Sequence, residues 1–388
     1  MWYFHSPKIA FGEESLAALE ELDSQRAFIV TDKIVSGLGF VDKVLECLGR
    51  VGCESGVFDQ VEPDPSLEIV RSCATEMTAF GPDLVIGLGG GSCMDAAKAA
   101  WFLYERPDVD LSAVNPFEYF GLHSKACFVT IPTTAGSGAE VTGGAVITDQ
   151  VARRKMEVPT YELVPDLAIV DPEFTLNTPP WLTAESGIDA LVHAIEGYTS
   201  SFANDFSDGL CLHAVRMIFA FLPRAYKNGE NDIQARRKMA NAATIAGLGV
   251  GASHIALAHA LAHALGMIFH VSHSRGSGLF LPYAIEFNAH SESSRYLDLA
   301  RLLDLEAADQ AQAAGEVARA IRELMKSVDL PVSLKEAGID ADDFETHLEE
   351  LCDRVETDSA LATCTRFPYR EDIRRLLMAA FDGRKVDF

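Results

Sequence analysis

Over its first 180 residues the chain alternates short β-branched runs with amphipathic stretches, and that alternation restricts it to a parallel, doubly wound α/β sheet. The strand candidates are AFIVT (27–31), SGVFD (55–59), DLVIGL (83–88), CFVTIP (127–132), AVIT (145–148) and LAIV (167–170), with a hairpin-like segment ahead of the first. Helical stretches near 41–50, 66–80 and 92–104 lie between them, and Ser66 is placed to cap the second. After Thr178-Pro179-Pro180 the pattern turns wholly helical, so the expected domains are an α/β unit over 1–180 and an all-α unit over 181–388. Helices are expected over 183–199, 206–224, 232–268, 276–288, 293–304, 309–328, 341–354 and 370–381.

Charge excludes one class of partner. A net charge of −25 repels polyanions and leaves no basic stripe for phosphates, so no nucleic acid is expected. The eight cysteines form no C-x-x-C pair and read as reduced, mostly buried thiols. The N-terminal segment lacks the basic start, apolar run and cleavage site of a signal peptide, which makes the cytoplasm the expected location. From Met239 to Ser274 there is no Asp, Glu, Lys or Arg, a length that suffices to span a bilayer. The stretch carries five histidines (254, 259, 263, 270 and 273) and several glycines, and polar groups are costly in lipid. It reads as a buried helix beside a functional site, with no membrane involved.

Two loops point to a bound phosphate. Strand 83–88 runs into Gly89-Gly90-Gly91-Ser92 and then a helix, where glycines admit close approach and the helix start offers N–H groups. The pattern is neither G-x-G-x-x-G nor a P-loop, and a tight turn is the competing reading. The second loop, Pro132-Thr133-Thr134-Ala135-Gly136-Ser137-Gly138-Ala139-Glu140, follows the next strand and faces the same crevice. Asp32, after the strand at 27–31, either accepts a ribose and repels a 2′-phosphate or caps a turn.

The helical half carries a metal-ligand pattern. Asp189 and His193 stand at i and i+4, and His259 and His263 repeat that spacing. One carboxylate with several imidazoles suits Fe²⁺ or Zn²⁺ better than Ca²⁺ or Mg²⁺. Spacing alone leaves open which three or four residues ligate. A continuous helix would put His273 about 21 Å from His259, so a turn after Gly266 is required. His213, isolated in an apolar helix, reads as an ordinary hydrogen-bonded core residue.

These motifs occur in one order: Gly89-Gly90-Gly91-Ser92-x-x-Asp95, Pro132 to Gly138 with Glu140, Gly187-Ile188-Asp189-Ala190-Leu191-x-His193-Ala194-Ile195-Glu196, His259-x-x-x-His263, then His273. In that order the chain resembles the iron-containing (group III) alcohol dehydrogenases over essentially its whole length. The resemblance implies a Rossmann-like N-terminal domain and a helical C-terminal domain, the architecture shared with dehydroquinate synthase, with the active site in the cleft between them. It implies metal ligands Asp189, His193, His259 and His273, with Fe²⁺ first and Zn²⁺ second. His263 then leaves the ligand set and faces the nicotinamide, either moving a proton or serving structure. For the cofactor it implicates Asp32, Gly89, Gly90, Gly91, Ser92, Asp95, Thr133, Thr134, Ser137, Thr142 and Lys155, and the acidic Asp32 implies NAD over NADP. The implied activity is hydride transfer between NAD(H) and a small primary alcohol or aldehyde, the implied assembly a homodimer.

The chain departs from its relatives around the ligands. Val250-Gly251-Ala252 stands where many read Phe-Ser-Asn, His254 where a small residue is usual, and Ser272-His273-Ser274 where Pro-His-Gly is usual. The ligands survive while the pocket wall changes, so no relative's substrate carries over. A lyase of the dehydroquinate synthase type would need basic residues for a phosphorylated acid, and the histidine cluster is poor in them. Glycerol or polyol dehydrogenases are nearer but tend to use fewer protein ligands. A catalytically silent metal-binding protein would have no need of intact cofactor loops.

Overall fold

The computed structural model describes residues 3–150 and 154–388, and the chain divides into two compact units, Met1–Thr178 and Pro179–Phe388. Among the described residues the first unit is built from strands β1 (Lys8–Phe11), β2 (Arg26–Val30), β3 (Glu54–Phe58), β4 (Leu84–Gly89), β5 (Cys127–Pro132), β6 (Gly144–Asp149), β7 (Arg154–Pro159) and β8 (Leu167–Val170). Its helices are α1 (Lys33–Gly37), α2 (Phe40–Arg50), α3 (Leu67–Phe80) and α4 (Gly91–Glu105).

Six strands form one parallel sheet in the order β1-β8-β5-β4-β2-β3. Alternate side chains of each strand face opposite sides, as the pleat dictates. Phe28, Val30 and Val85 face a core with Val70, Met77 and Trp101 from α3 and α4. Ile29, Ile86 and Leu88 face the other core, with Val44 and Leu48 from α2. The chain leaves β2 toward β3 on one side and returns to β4 on the other, so the winding reverses between β2 and β4. Ligands of open α/β sheets bind at the carboxyl ends of strands flanking such a reversal.

Two expectations need correction here. The N-terminal segment is no hairpin: β1 pairs parallel with β8 at the sheet edge, and the 3₁₀ helix Ser15–Glu21 follows it. The strand at 145–148 lies outside the parallel sheet and pairs antiparallel with β7, which the periodicity did not single out. Pairing in this two-stranded ribbon depends on a partner strand, which local pattern does not reveal.

The second unit comprises α5 (Pro180–Thr199), α6 (Asp205–Asn228), α7 (Ile233–Gly251), α8 (Leu257–Phe269), α9 (His273–Asn288), α10 (Tyr296–Leu302), α11 (Gln310–Ser327), α12 (Ala341–Glu356) and α13 (Arg370–Asp382). Every residue of α5 from Thr183 to Tyr198 is buried, because α6, α7 and α9 surround it. The expected single helix 232–268 is two helices, broken over 252–256 where His254 takes a left-handed backbone (φ 67°). The run is apolar on both sides of the break, so hydrophobic periodicity gives no sign of it. The turn required before His273 falls at His270, also left-handed (φ 56°), whose N–H closes α8 on the Gly266 carbonyl. His213 is exposed and paired with Arg216 (3.1 Å), so the core role assigned to it is wrong. By length and composition α6 could pass for a membrane span, yet it packs against α5 and α7.

Two predictions follow from this packing. A Cβ at Gly278 on α9 would run into Ile188 Cγ2, and one at Gly187 into Leu222 Cδ1. Alanine gains about 1 kcal/mol in helix propensity, but overpacking costs about 1–3 kcal/mol. Ile188 is β-branched and stiff, whereas the tip of Leu222 can rotate away. Urea denaturation is therefore expected to show Gly278→Ala clearly destabilised and Gly187→Ala close to neutral.

In the first unit Asp83 accepts from Ser24 Oγ (2.5 Å) and the Gln25 and Arg26 N–H groups (2.9 Å each), joining the starts of β2 and β4. Burial pushes its carboxyl up, but these donors outweigh burial and hold it below the ordinary carboxylate range. A depressed folded value gives stability that is present above the unfolded value of about 3.9 and lost as pH falls through the folded value. Asp83→Asn is expected to cost about 1–2 kcal/mol at neutral pH, with the gap to wild type closing under acid below pH about 4.

Candidate metal centre and nucleotide site

The helix α5 positions Asp189 and His193 one turn apart, and α8 brings His259 against them. Ligand atoms of these three residues lie within 4.8 Å of one another, and the residues are only 2%, 7% and 1% exposed. The rings of His193 and His259 stack at 5.0 Å and 19°. His273, first residue of α9, puts its ring 5.2 Å from that of His259 and 5.2 Å from that of His263. It stands at the solvent-exposed side and is not one of the three mutually close residues. His254 meets Phe202 at the helix break, and His270 caps α8, so neither belongs to this group.

The donor set fits a cation. His259 Nδ1 is bonded to Glu196 Oε2 at 2.6 Å, while its Nε2 is buried without a hydrogen-bond partner. A buried ring nitrogen left unsatisfied costs free energy, and a cation at that position supplies the partner. Burial pushes the Asp189 carboxyl up, but the neighbouring His193, His273 and His259 and the Ser277 hydroxyl (2.8 Å) bring it below its ordinary value. The site therefore holds a carboxylate ready to ligate. One carboxylate among imidazoles fits Fe²⁺ or Zn²⁺.

A second layer orients these groups. Glu196 accepts from His259 Nδ1, from Ala256 N (2.8 Å) and, through its other oxygen, from Ala258 N (2.6 Å). Burial lowers the His259 pKa, but Glu196 first and the more distant Asp189 and Asp358 raise it overall, favouring a proton on the Nδ1 side. The packing around His273 pushes its pKa down, with His263, His259 and His193 adding to the effect against Asp189. His263 Nδ1 is bonded to Asp358 Oδ2 at 2.8 Å, which turns its Nε2 away from Asp358. The Asp358 and Glu196 roles escape a spacing argument. Glu196 had a legible signal, lying seven residues after Asp189 on the same helix face, whereas Asp358 precedes a short 3₁₀ turn far along the chain.

In the first unit three loops gather beyond the carboxyl ends of β2, β4 and β5. Gly89 has φ 149°, and a Cβ there would meet Cys93 Cβ and Sγ at 2.6 Å, so both backbone and space demand glycine. Gly90 is the N-cap of α4 and contributes no side chain, and Gly91 and Ser92 open the helix with no acidic residue in its first turn. Thr133 N donates to Gly89 O (2.9 Å), and a Cβ on Gly91 would lie 3.1 Å from that of Ser137. A Cβ on Gly90 would lie 3.6 Å from Thr134 Oγ1, so the second loop lies directly against the glycine turn.

Asp32 performs the cap that the sequence also allowed, since its Oδ1 accepts from Val35 N at 2.8 Å. Its Oδ2 accepts from Cys93 Sγ at 3.1 Å, which places the carboxylate beside the glycine turn. Ser92 Oγ accepts from Asp64 N (3.3 Å), and Asp64 pairs with Lys155, which also donates to Thr148 Oγ1 (3.2 Å). Asp95 and Thr142 serve packing in this structure. Asp95 Oδ2 accepts from Val146 N (3.1 Å), and Thr142 O and Oγ1 accept from the buried Lys98 ammonium (2.7 and 3.3 Å), so both tie the β6–β7 ribbon to α4. Burial, against the pull of Lys98, Val146 N–H and Lys155, raises the Asp95 carboxyl to about 6, although part of its surface still meets solvent. Burial lowers Lys98 to about 8 despite Asp95 and Glu140.

The chain matches known proteins along its whole length. The profile of iron-containing alcohol dehydrogenase matches residues 6–172, and that of the C-terminal part of the Fe-containing alcohol dehydrogenase family matches residues 183–381. The NADPH-dependent butanol dehydrogenase of Clostridium saccharobutylicum is 35% identical over 391 residues, covering all of both chains. Aldehyde-alcohol dehydrogenase 2 of Entamoeba histolytica is 37% identical over 406 residues, covering 98% of this chain, which spans only 46% of that relative, about half its length. The solved alcohol dehydrogenase from Oenococcus oeni superposes with a TM-score of 0.92 at 29% identity, covering 98% of this chain and 100% of that one. On matches that run through both units, the chain belongs to the iron-containing alcohol dehydrogenase family.

Proposed function

We propose that the protein is a metal-dependent alcohol dehydrogenase that interconverts a small primary alcohol and its aldehyde with NAD(H). The observation that carries this reading is the buried Asp189, His193 and His259 cluster with its unsatisfied His259 Nε2. In the proposed site Asp189, His193, His259 and His273 hold the ion, iron first and zinc second. When bound, the ion supplies Lewis acidity toward the alcohol oxygen and the nicotinamide accepts the hydride.

The protein's own groups supply orientation and proton handling. Glu196 holds His259 with Nε2 toward the cluster, and Ser277 occupies Asp189 Oδ1 so that the second oxygen is free to ligate. His263, anchored through Nδ1 by Asp358, keeps Nε2 for the alcohol proton on its way to solvent. Backbone N–H groups at Gly90, Gly91 and Ser92 receive the pyrophosphate at the start of α4, with Thr133, Thr134 and Ser137 beside them. Asp32 receives the ribose hydroxyls and disfavours a 2′-phosphate, and Lys155, Thr142 and Asp95 line the same side through the β6–β7 ribbon. The reading extends to a homodimer acting in the cytoplasm, an extension that rests on kinship.

Two outcomes test it. His259→Ala is expected to leave the fold intact by circular dichroism, to abolish bound metal by elemental analysis, and to lower NADH formation from alcohols by about 10³-fold, the effect of losing several kcal/mol of charge stabilisation. Full activity in metal-free protein would sink the mechanism, and turnover without net NADH would point to a lyase. Asp32→Asn keeps an N-cap acceptor for Val35 and removes the charge. Calorimetric titration is expected to show the NAD⁺ over NADP⁺ preference reduced about tenfold, and an unchanged ratio would remove Asp32 from discrimination.

A further inference from the structure

The two residues on either side of His273 share one buried partner. Ser272 occupies the N-cap of α9, yet its hydroxyl does not cap that helix; it donates to Glu185 Oε2 at 2.7 Å. Arg275 donates through Nε to Glu185 Oε1 at 2.9 Å, with a second guanidinium nitrogen also 2.9 Å away. Glu185 lies on α5 one turn before Asp189 and is only 5% exposed. Both of its oxygens are thus engaged by the residues that bracket His273.

We propose that Glu185, through Ser272 and Arg275, is a positioning residue that sets His273 as the fourth protein ligand of the metal, an inference that rests on the metal-centre reading above. Asp189 and His193 are fixed by the buried helix that carries them, and His259 is fixed by Glu196. His273 has neither support: it begins a helix, follows a left-handed residue at 270, and faces solvent. The Glu185 clamp replaces the missing constraint by tying the start of α9 to the helix that carries two of the other ligands. A plain surface ion pair would do little, because exposed pairs are weak. Here one partner is buried, so loss of its donors leaves a carboxylate unsatisfied and the start of α9 must move to relieve it. Geometry at a metal is sensitive to such outer supports, and their removal typically weakens binding about 10- to 100-fold.

The test is Co²⁺ reconstitution of the full chain, with affinity measured by competition against a chromophoric chelator and ligand geometry read from the visible absorption bands. Glu185→Ala is expected to bind Co²⁺ about 10- to 100-fold more weakly and to give the spectrum of His273→Ala. Glu185→Gln, of equal length, can accept from Arg275 through its oxygen while its NH2 donates to the Ser272 hydroxyl, and is expected to recover most of the affinity and the wild-type spectrum. The double variant Glu185→Ala/His273→Ala is expected to lose no more than His273→Ala alone, since one effect runs through the other. Additive losses, or a wild-type spectrum in Glu185→Ala, overturn the proposal. Where Glu185→Ala fails to fold, Ser272→Ala removes one hydrogen bond from the exposed side and is expected to weaken Co²⁺ binding about three- to tenfold; unchanged affinity overturns the clamp. If His273→Ala binds like wild type, His273 is not a ligand and the clamp falls, while loss of Co²⁺ in His259→Ala still upholds the centre itself.

Discussion

The carboxylate of Glu196 is the interaction on which the helical unit turns. Buried within α5, it accepts from two backbone N–H groups at the start of α8 and from the Nδ1 of His259. Those backbone donors belong to the first turn of a helix, where N–H groups lack intrahelical partners. A single side chain therefore satisfies the new helix end, offsets the cost of its own burial and orients the His259 ring. The break between α7 and α8 frees those donors for it. A continuous helix would bury those N–H groups in its own ladder and take two of the three donors from Glu196.

Around that anchor the cluster follows a consistent electrostatic pattern. Asp189 lies below its usual value because imidazoles surround it, and His259 lies above its usual value because carboxylates do. The Glu196 bond at Nδ1 leaves Nε2 as the ring nitrogen that faces the cluster. The nucleotide side follows a different principle. There the Thr133 backbone N–H and the side chains of Asp32 and Cys93 hold one loop to the next at the point where the strand order reverses.

Much of this was legible from residue order. The sheet strands at 27–31, 55–59, 83–88, 127–132 and 167–170 are short β-branched runs bounded by turns, and each appears within a residue or so of its expected ends. The i, i+4 pairing of Asp189 and His193 is a local property of one helix, so spacing alone was enough to put them on one face. What escaped depends on distant partners. The helix break at 252–256 has its free N–H groups satisfied by a carboxylate from another helix, and apolar residues on both sides conceal it. Asp358 reaches His263 from a segment with no periodicity at all. The exposure of His213 reflects which face of α6 the neighbouring helices cover, and a single apolar helix does not record that choice.

The burial of α5 has a consequence for how the protein lives in a cell where metal supply varies. The helix that forms the centre of the second unit also carries Asp189 and His193, so a cation held by the cluster would brace the core as well. Metal starvation would then lower the margin of stability of a unit that still folds. Scarcity of the ion would control how much enzyme persists as well as how fast each copy turns over.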